Sequence, residues 1–196
     1  MKNIIENFKK RKFIILGIIS LVSIVFIVFK TKTKPVITNP TPTPFTSSQI
    51  ADFNSIVPNQ TSLERINELL GYPVETKNEN GITINEYRTT NKYRTHVIKI
   101  ENGIATFIKQ EIISGEQKTS DIQNVYGVAP NVLYSQAPNA SFDLFVYPAN
   151  GIAYLGHSDG TILEIWYFPP VENIDMFIEN YGQGYGKEPS KVIPLY

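Results

Sequence analysis

The sequence contains no cysteine, and its 196 residues include only two histidines, His96 and His157. The absence of cysteine excludes a disulfide framework, a thiolate zinc site, a cysteine nucleophile and a lipid anchor on a cysteine side chain. The two histidines have no nearby carboxylate at metal-ligand spacing, and no phosphate-binding loop, nucleophile elbow, zinc-protease or EF-hand motif occurs. The sequence therefore predicts no catalytic residue, no metal site and no cofactor.

The net charge is zero, but the two parts of the chain carry opposite charges. Residues 1–49 contain eight Lys and Arg residues and one acid, whereas residues 50–196 contain ten basic residues and 17 acids. An acidic domain without a basic stripe lacks the charges that supply most nucleic-acid affinity, so we expect no nucleic-acid partner. The basic N-terminal part is instead suited to a membrane surface.

A long apolar run, FIILGIISLVSIVFIVF, occupies residues 13–29 and contains no charged side chain. As an α-helix it would reach about 26 Å, close to the thickness of a bilayer's hydrocarbon core. Five positive side chains precede the run and three follow it, which favours a cytoplasmic N-terminus. We predict a basic cytoplasmic segment at 1–12 and a single-pass transmembrane helix at 13–29 that contacts the lipid bilayer of the cell membrane. A cleaved signal peptide is the alternative.

The remainder is predicted to lie outside the cell membrane as a stalk, a domain and a tail. Residues 30–48 are rich in Thr and Pro, a composition typical of an extended spacer. The domain is assigned to 49–182. The Gly- and Pro-containing residues 183–196 are interpreted as a loosely held tail.

Within the domain, a short helix is expected between Thr61, which with Glu64 matches a capping box, and Gly71. Alternating apolar residues and an Asn102-Gly103 turn signal predict three strands after the helix, at Ile82–Arg88, Tyr93–Ile100 and Ile104–Ile113.

The same order of signals recurs 56 to 57 residues later. A helix is expected to end at Gly127, and three further strands are predicted at Phe142–Tyr147, Gly151–His157 and Thr161–Phe168. We predict an α+β fold in which two helix-plus-three-strand units, about 58–113 and 119–170, form an antiparallel sheet with the helices on one face. Chance similarity of the two halves is the alternative. A last helix is expected between Asn173 and Gly182.

The run from Pro58 to Pro73, followed by the strand that ends in Glu86-Tyr87, resembles the SmpA/OmlA (BamE-like) domain. Its double occurrence is similar to the tandem arrangement of the β-lactamase inhibitor protein. The resemblance implies a non-enzymatic module that binds other proteins. Two departures are Asn59, where the family often has Gly, and the predicted transmembrane anchor in place of a lipidated cysteine; both argue against a BamE-like role in outer-membrane assembly.

If each hairpin turns through three residues, one sheet face collects aromatic and apolar side chains beside charged ones. Phe107, Tyr154, Ile162 and Trp166 on this face are the candidate partner-binding residues, because aromatic residues among charges are typical of protein-binding surfaces. The alternatives are that the C-terminal helix or the tail covers this patch, or that a two-residue turn exchanges the faces.

Together these observations predict a membrane-anchored extracytoplasmic module that binds another envelope or extracellular protein or assists envelope assembly. Two other functions stay open at this point. One is a cell-envelope hydrolase with an unrecognised site, and the other is an inhibitor of a secreted enzyme, which rests on the resemblance alone.

Overall fold

The structure is a computed structural model that describes residues 49–113, 115–137 and 140–190. The predicted transmembrane helix at 13–29 and its flanking segments, 1–12 and 30–48, lie outside the described residues, as does the end of the predicted tail at 191–196. Among the residues that are described, no helix has the length and apolar character needed to cross a membrane.

The described residues form three α-helices and nine β-strands. The helices are α1 (Leu63–Leu70), α2 (Thr119–Tyr126) and α3 (Ile174–Asn180). The strands are β1 (Glu75–Glu79), β2 (Ile82–Arg88), β3 (Thr95–Glu101), β4 (Ile104–Glu111), β5 (Asn131–Ser135), β6 (Asp143–Tyr147), β7 (Ile152–Gly156), β8 (Ile162–Tyr167) and β9 (Tyr185–Gly186).

All nine strands belong to one antiparallel sheet with the order β1-β2-β3-β4-β8-β7-β6-β5-β9. A helix followed by four strands occurs twice along the chain, and the two sets of four meet where β4 pairs with β8. One sheet edge is therefore β1, and β9 covers part of β5 at the opposite edge through Tyr134 and Ser135.

The sheet carries helices on both faces. On one face, α1 and α2 insert Ile66 and Ile122 into a core that also contains Phe53 and Ile56 from the segment before α1. On the other face, α3 inserts the fully buried Phe177 into a second, smaller cluster. This second cluster contains Leu133, Leu144, Val146, Ala153 and Phe168.

The predicted fold was wrong in two respects. The sheet contains nine strands in the described residues, since β1, β5 and β9 join the six predicted strands, and helices pack on both of its faces. β1 reads ETKNE and all five of its residues are exposed, so it has no apolar alternation that could mark it. The predicted tail also contributes β9.

The predicted ends of α1 were partly correct. Gly71 ends the helix with a positive φ of 80°, and its N–H donates to the carbonyl of Asn67. The helix begins one residue later than expected, because the hydroxyl of Ser62 accepts from the N–H of Arg65. Thr61, predicted as the cap, instead accepts from the N–H of Val57 at 2.9 Å.

Candidate functional site

The four residues proposed from the sequence lie on opposite faces of the sheet. Phe107 and Trp166 share the face on which α3 packs, and their ring centroids are 5.7 Å apart in an edge-to-face arrangement. Tyr154 and Ile162 lie on the face covered by α1 and α2, and both are 0% exposed. Phe107 and Trp166 are therefore partly exposed, whereas Tyr154 and Ile162 are core residues.

A β-bulge between β7 and β8 causes this separation. Gly156 pairs with Ile162 but Leu155 pairs with Glu164, so Leu163 is an extra residue on β8. The extra residue changes the alternation of side chains, and Tyr154 pairs with Ile165 rather than with Glu164. The sequence expectation assumed an uninterrupted ladder, which placed Tyr154 and Ile162 on the wrong face.

The face that carries Phe107 and Trp166 is covered over one half of the sheet and uncovered over the other. Across β5, β6 and β7 a row of paired residues reads Leu133, Leu144 and Leu155, and these side chains pack in the cluster under α3. The corresponding row across β1, β2 and β3 reads Lys77, Ile84 and Lys99. We call the face of β1–β4 on this side the open face. Its charged side chains suit water or a polar partner rather than an apolar helix.

An aromatic cluster forms the border between the open face and the covered half. The ring of Phe107 stacks on Tyr181, the residue after α3, at 5.8 Å, and Trp166 meets Tyr185 of β9 at 5.9 Å. All four side chains are partly buried, so each presents an edge or a part of its ring to solvent. Burial raises the pKa of the Tyr181 and Tyr185 hydroxyls, which therefore stay protonated at neutral pH.

Two groups of ion pairs hold the charged side chains of the open face in place. In the first, the ammonium of Lys77 lies 3.0 Å from Glu75 and 3.1 Å from Glu86. The hydroxyl of Thr95 donates to Glu86 at 2.8 Å. This hydrogen bond, followed by the one from Lys77, lowers the pKa of Glu86, and the two carboxylates raise the pKa of Lys77.

The second group of ion pairs joins β4 and β8 to Arg94, the residue before β3. Glu111 pairs with Arg94 at 2.6 Å and with Lys109 at 3.3 Å. Lys109 also lies 3.6 Å from Glu164, whose other carboxylate oxygen accepts from the indole N–H of Trp166 at 2.9 Å. The indole of Trp166 is thus fixed by a hydrogen bond as well as by its aromatic neighbours.

Lys99 differs from the other cations of the open face. Its side chain is exposed, and its ammonium lies 5.4 Å from the centroid of the Phe107 ring, within the range of a cation–π interaction. It forms no ion pair with any residue that the structure describes. The ammonium group is therefore available to an acceptor on another molecule.

These side chains line a shallow groove of about 400 Å³ on the open face. One wall is aromatic, and the floor and rim combine apolar with charged side chains. The lining residues are Lys77, Glu79, Ile84, Glu86, Val97, Lys99, Phe107, Lys109, Trp166 and Tyr181. The sequence expectation found Phe107 and Trp166 but missed Tyr181, which comes from a distant part of the chain, and the residues of β1 and β2.

The groove offers apolar, aromatic and charged contacts to a bound molecule. Its ionisable groups are mostly paired with each other, and none is a nucleophile held by a base. Within the described ranges, no group of three or more His, Asp or Glu side chains could hold a metal ion. The arrangement can bind an apolar side chain against Phe107 and Trp166 and a carboxylate or carbonyl at Lys99.

Comparison with known proteins gives only distant structural similarity. No protein family model and no curated protein matches the chain. The structure is similar to that of YjgB, a DUF4309 family protein from Bacillus subtilis, with a TM-score of 0.42 and 12% identity over 61% of this chain and 86% of that one. It is also similar to an extracellular protein containing an SCP domain from Bacillus anthracis, with a TM-score of 0.41 and 10% identity.

A third similar structure is a cysteine-rich secretory protein from Staphylococcus aureus, with a TM-score of 0.36 and 9% identity over 69% of this chain. The match to the Bacillus anthracis protein covers 76% of this chain. The chain spans about half the length of these two proteins, 54% of the Bacillus anthracis protein and 56% of the Staphylococcus aureus protein. The resemblance to the SmpA/OmlA domain stays a prediction, and similarities of this size establish neither a family nor a function.

Proposed function

We propose that the chain is a membrane-anchored extracytoplasmic module that binds another envelope or extracellular protein through its open face. The observation that supports this proposal is the uncovered half of a sheet face whose other half is packed under α3. At the border of that uncovered half, partly exposed Phe107 and Trp166 lie near Lys99, a cation that forms no ion pair in the described residues.

The contacts at the groove suggest the chemistry of the bound segment. An apolar side chain would gain contact area against the partly exposed rings of Phe107 and Trp166, which already hold fixed orientations. An acidic group on the partner would find the ammonium of Lys99 next to that contact. Since aromatic residues at the centre of a protein interface contribute most to its affinity, Phe107 is expected to be the most sensitive position.

Site-specific photo-crosslinking of the full-length chain in its native cells tests this proposal. Glu79, an exposed residue that lines the groove and has no role in the proposed contacts, is replaced by p-benzoylphenylalanine, and Met176, which is 40% exposed on α3, is replaced in the same way as a matched control. We expect a discrete protein adduct from position 79 and none from position 176. Adding Phe107→Ala to the position 79 variant is expected to reduce this adduct about tenfold or more.

The same adducts from both positions, or no adduct from position 79, would show that the open face is not a protein-binding surface. Phe107→Ala removes part of the aromatic cluster, so its unfolding is compared with that of the parent chain. A reverse-charge variant, Lys99→Glu, changes an exposed side chain and keeps the test valid if Phe107→Ala is unfolded. Co-purification with the parent chain but not with Lys99→Glu is then the expected result.

A further inference from the structure

The turn between β2 and β3 concentrates positive charge in a domain that is acidic overall. It reads RTTNKYR from Arg88 to Arg94, and no acidic residue occurs between Glu86 and Glu101. The net negative charge of residues 50–196 hides this local cluster. The cluster lines a different pocket from the groove of the open face. The ion pair between Arg94 and Glu111 links the cluster to β4.

Side-chain hydrogen bonds fix the shape of this turn. The hydroxyl of Thr89 accepts from the N–H of Asn91 at 3.0 Å and lies 2.8 Å and 3.0 Å from the carbonyls of Asn91 and Arg94. The N–H of Tyr93 donates to the side-chain oxygen of Asn91 at 3.0 Å. A ligand that binds here therefore meets a turn that is already ordered, which lowers the entropic cost of binding.

The turn encloses a pocket of about 320 Å³ without a carboxylate in its lining. Arg94 is neutralised by Glu111 at 2.6 Å. Arg88 and Lys92 are exposed and form no ion pair within the described part of the chain, although the ammonium of Lys92 lies 4.8 Å from the centroid of the Tyr93 ring. The exposed hydroxyl of Thr90 lines the same pocket.

We propose that this turn is a binding site for phosphate groups, with Arg88 and Lys92 as the charged ligands and Thr90 as a neutral donor. A guanidinium donates two parallel hydrogen bonds to phosphate oxygens, an ammonium adds a point charge, and a hydroxyl completes the coordination of a third oxygen. The phosphate can come from the headgroups of an anionic bilayer or from a soluble phosphate polymer. Both sources present the same group to the pocket.

The acetylation rate of Lys92 in the full-length chain reports occupancy of this site. The chain is placed in phosphatidylcholine nanodiscs with and without inorganic polyphosphate, and in nanodiscs that contain phosphatidylglycerol. Polyglutamate of equal charge serves as a carboxylate control. We expect slower acetylation of Lys92, but not of Lys187, in at least one phosphate condition, and an effect that weakens as salt is added.

Arg88→Gln keeps the reporter lysine and removes one phosphate ligand, and Arg65→Gln is the matched control because Arg65 is also exposed and pairs with Glu68 at 2.8 Å. Arg88→Gln is expected to reduce the protection of Lys92 from acetylation about fivefold or more. Arg65→Gln is expected to leave that protection unchanged. Protection by polyphosphate identifies a soluble source, and protection in phosphatidylglycerol alone identifies a lipid headgroup. No protection in either arm, equal protection by polyglutamate, or equal effects of the two variants would overturn the proposal.

Discussion

Tyr154 provides the sharpest test of how the sheet is arranged. The alternation expected from the sequence placed this side chain on a binding surface, whereas the structure buries it completely and stacks its ring on Phe145 at 4.8 Å with an interplanar angle of 10°. Removing a large buried side chain costs about 3–5 kcal/mol, so we expect Tyr154→Ala to lower the free energy of unfolding by that amount. An exposed tyrosine would contribute about 0.5 kcal/mol or less.

The hydroxyl of Tyr154 allows a second, independent comparison. It is buried and has no partner at hydrogen-bond geometry, although the side chains of Gln123 and Thr119 lie near it. Tyr154→Phe is therefore expected to be neutral or slightly stabilising, because no hydrogen bond is lost. The hydroxyl of Tyr147 donates to the carbonyl of Gly127 at 2.8 Å, so Tyr147→Phe is expected to cost about 1 kcal/mol.

Urea unfolding of the full-length chain in a mild nonionic detergent measures these differences. Trp166 is the only tryptophan of the chain, so its fluorescence reports the domain directly. Tyr72→Ala is the control, because Tyr72 is 85% exposed and its loss is expected to change the free energy of unfolding by about 0.5 kcal/mol or less. Equal m-values are required for the comparison. If Tyr154→Ala cost no more than Tyr72→Ala, the assignment of Tyr154 to the core would be refuted.

Two further predictions concern pH and a turn glycine. Burial lowers the pKa of His96 below its usual 6.5, and its ring nitrogen accepts from the N–H of Glu111, so stability is expected to fall as pH drops below about 6.5. His96→Gln should reduce this fall between pH 7 and pH 5, and an unchanged pH profile would contradict the expectation. Gly151 and Gly160 both have positive φ, but a Cβ at Gly151 would also clash with the carbonyl of Phe168. Gly160→Ala is expected to cost about 1 kcal/mol and Gly151→Ala clearly more, and equal midpoints of unfolding would disprove the clash.

The six strands rich in apolar residues could be predicted from the sequence, and β2 has the predicted bounds, Ile82–Arg88. Apolar and polar residues alternate where one strand face is buried and the other is not, whereas β7, which reads IAYLG, is almost entirely buried and forms a continuous apolar run. The Asn102-Gly103 turn was also predictable, since both residues adopt the positive φ values that Asn and Gly tolerate, 49° and 76°. The predicted transmembrane helix at 13–29 and the domain boundaries stay predictions.

β1 was not predictable, because its five exposed residues follow no pattern and it is a strand only through pairing with β2. The helix α3 was predicted from its Asn173 cap, which accepts from the N–H of Met176 at 3.0 Å. The position of α3 on the sheet could not be predicted, because contacts between distant segments leave no periodic signal in the sequence. The candidate site shares this property, because Phe107 of β4 and Tyr181, the residue after α3, are far apart in the sequence.

The sequence by itself determined local structure, because helix caps, turn residues and alternation depend on neighbours within a few positions of the chain. Tertiary structure alone decided which faces are free. One extra residue, Leu163, moved Tyr154 and Ile162 into the core, and the packing of α3 covered one half of a face and left the other uncovered. The physical reason is that a single bulge changes the side-chain alternation of the paired strands, and the covering of a face by α3 depends on contacts between segments that are far apart in the sequence.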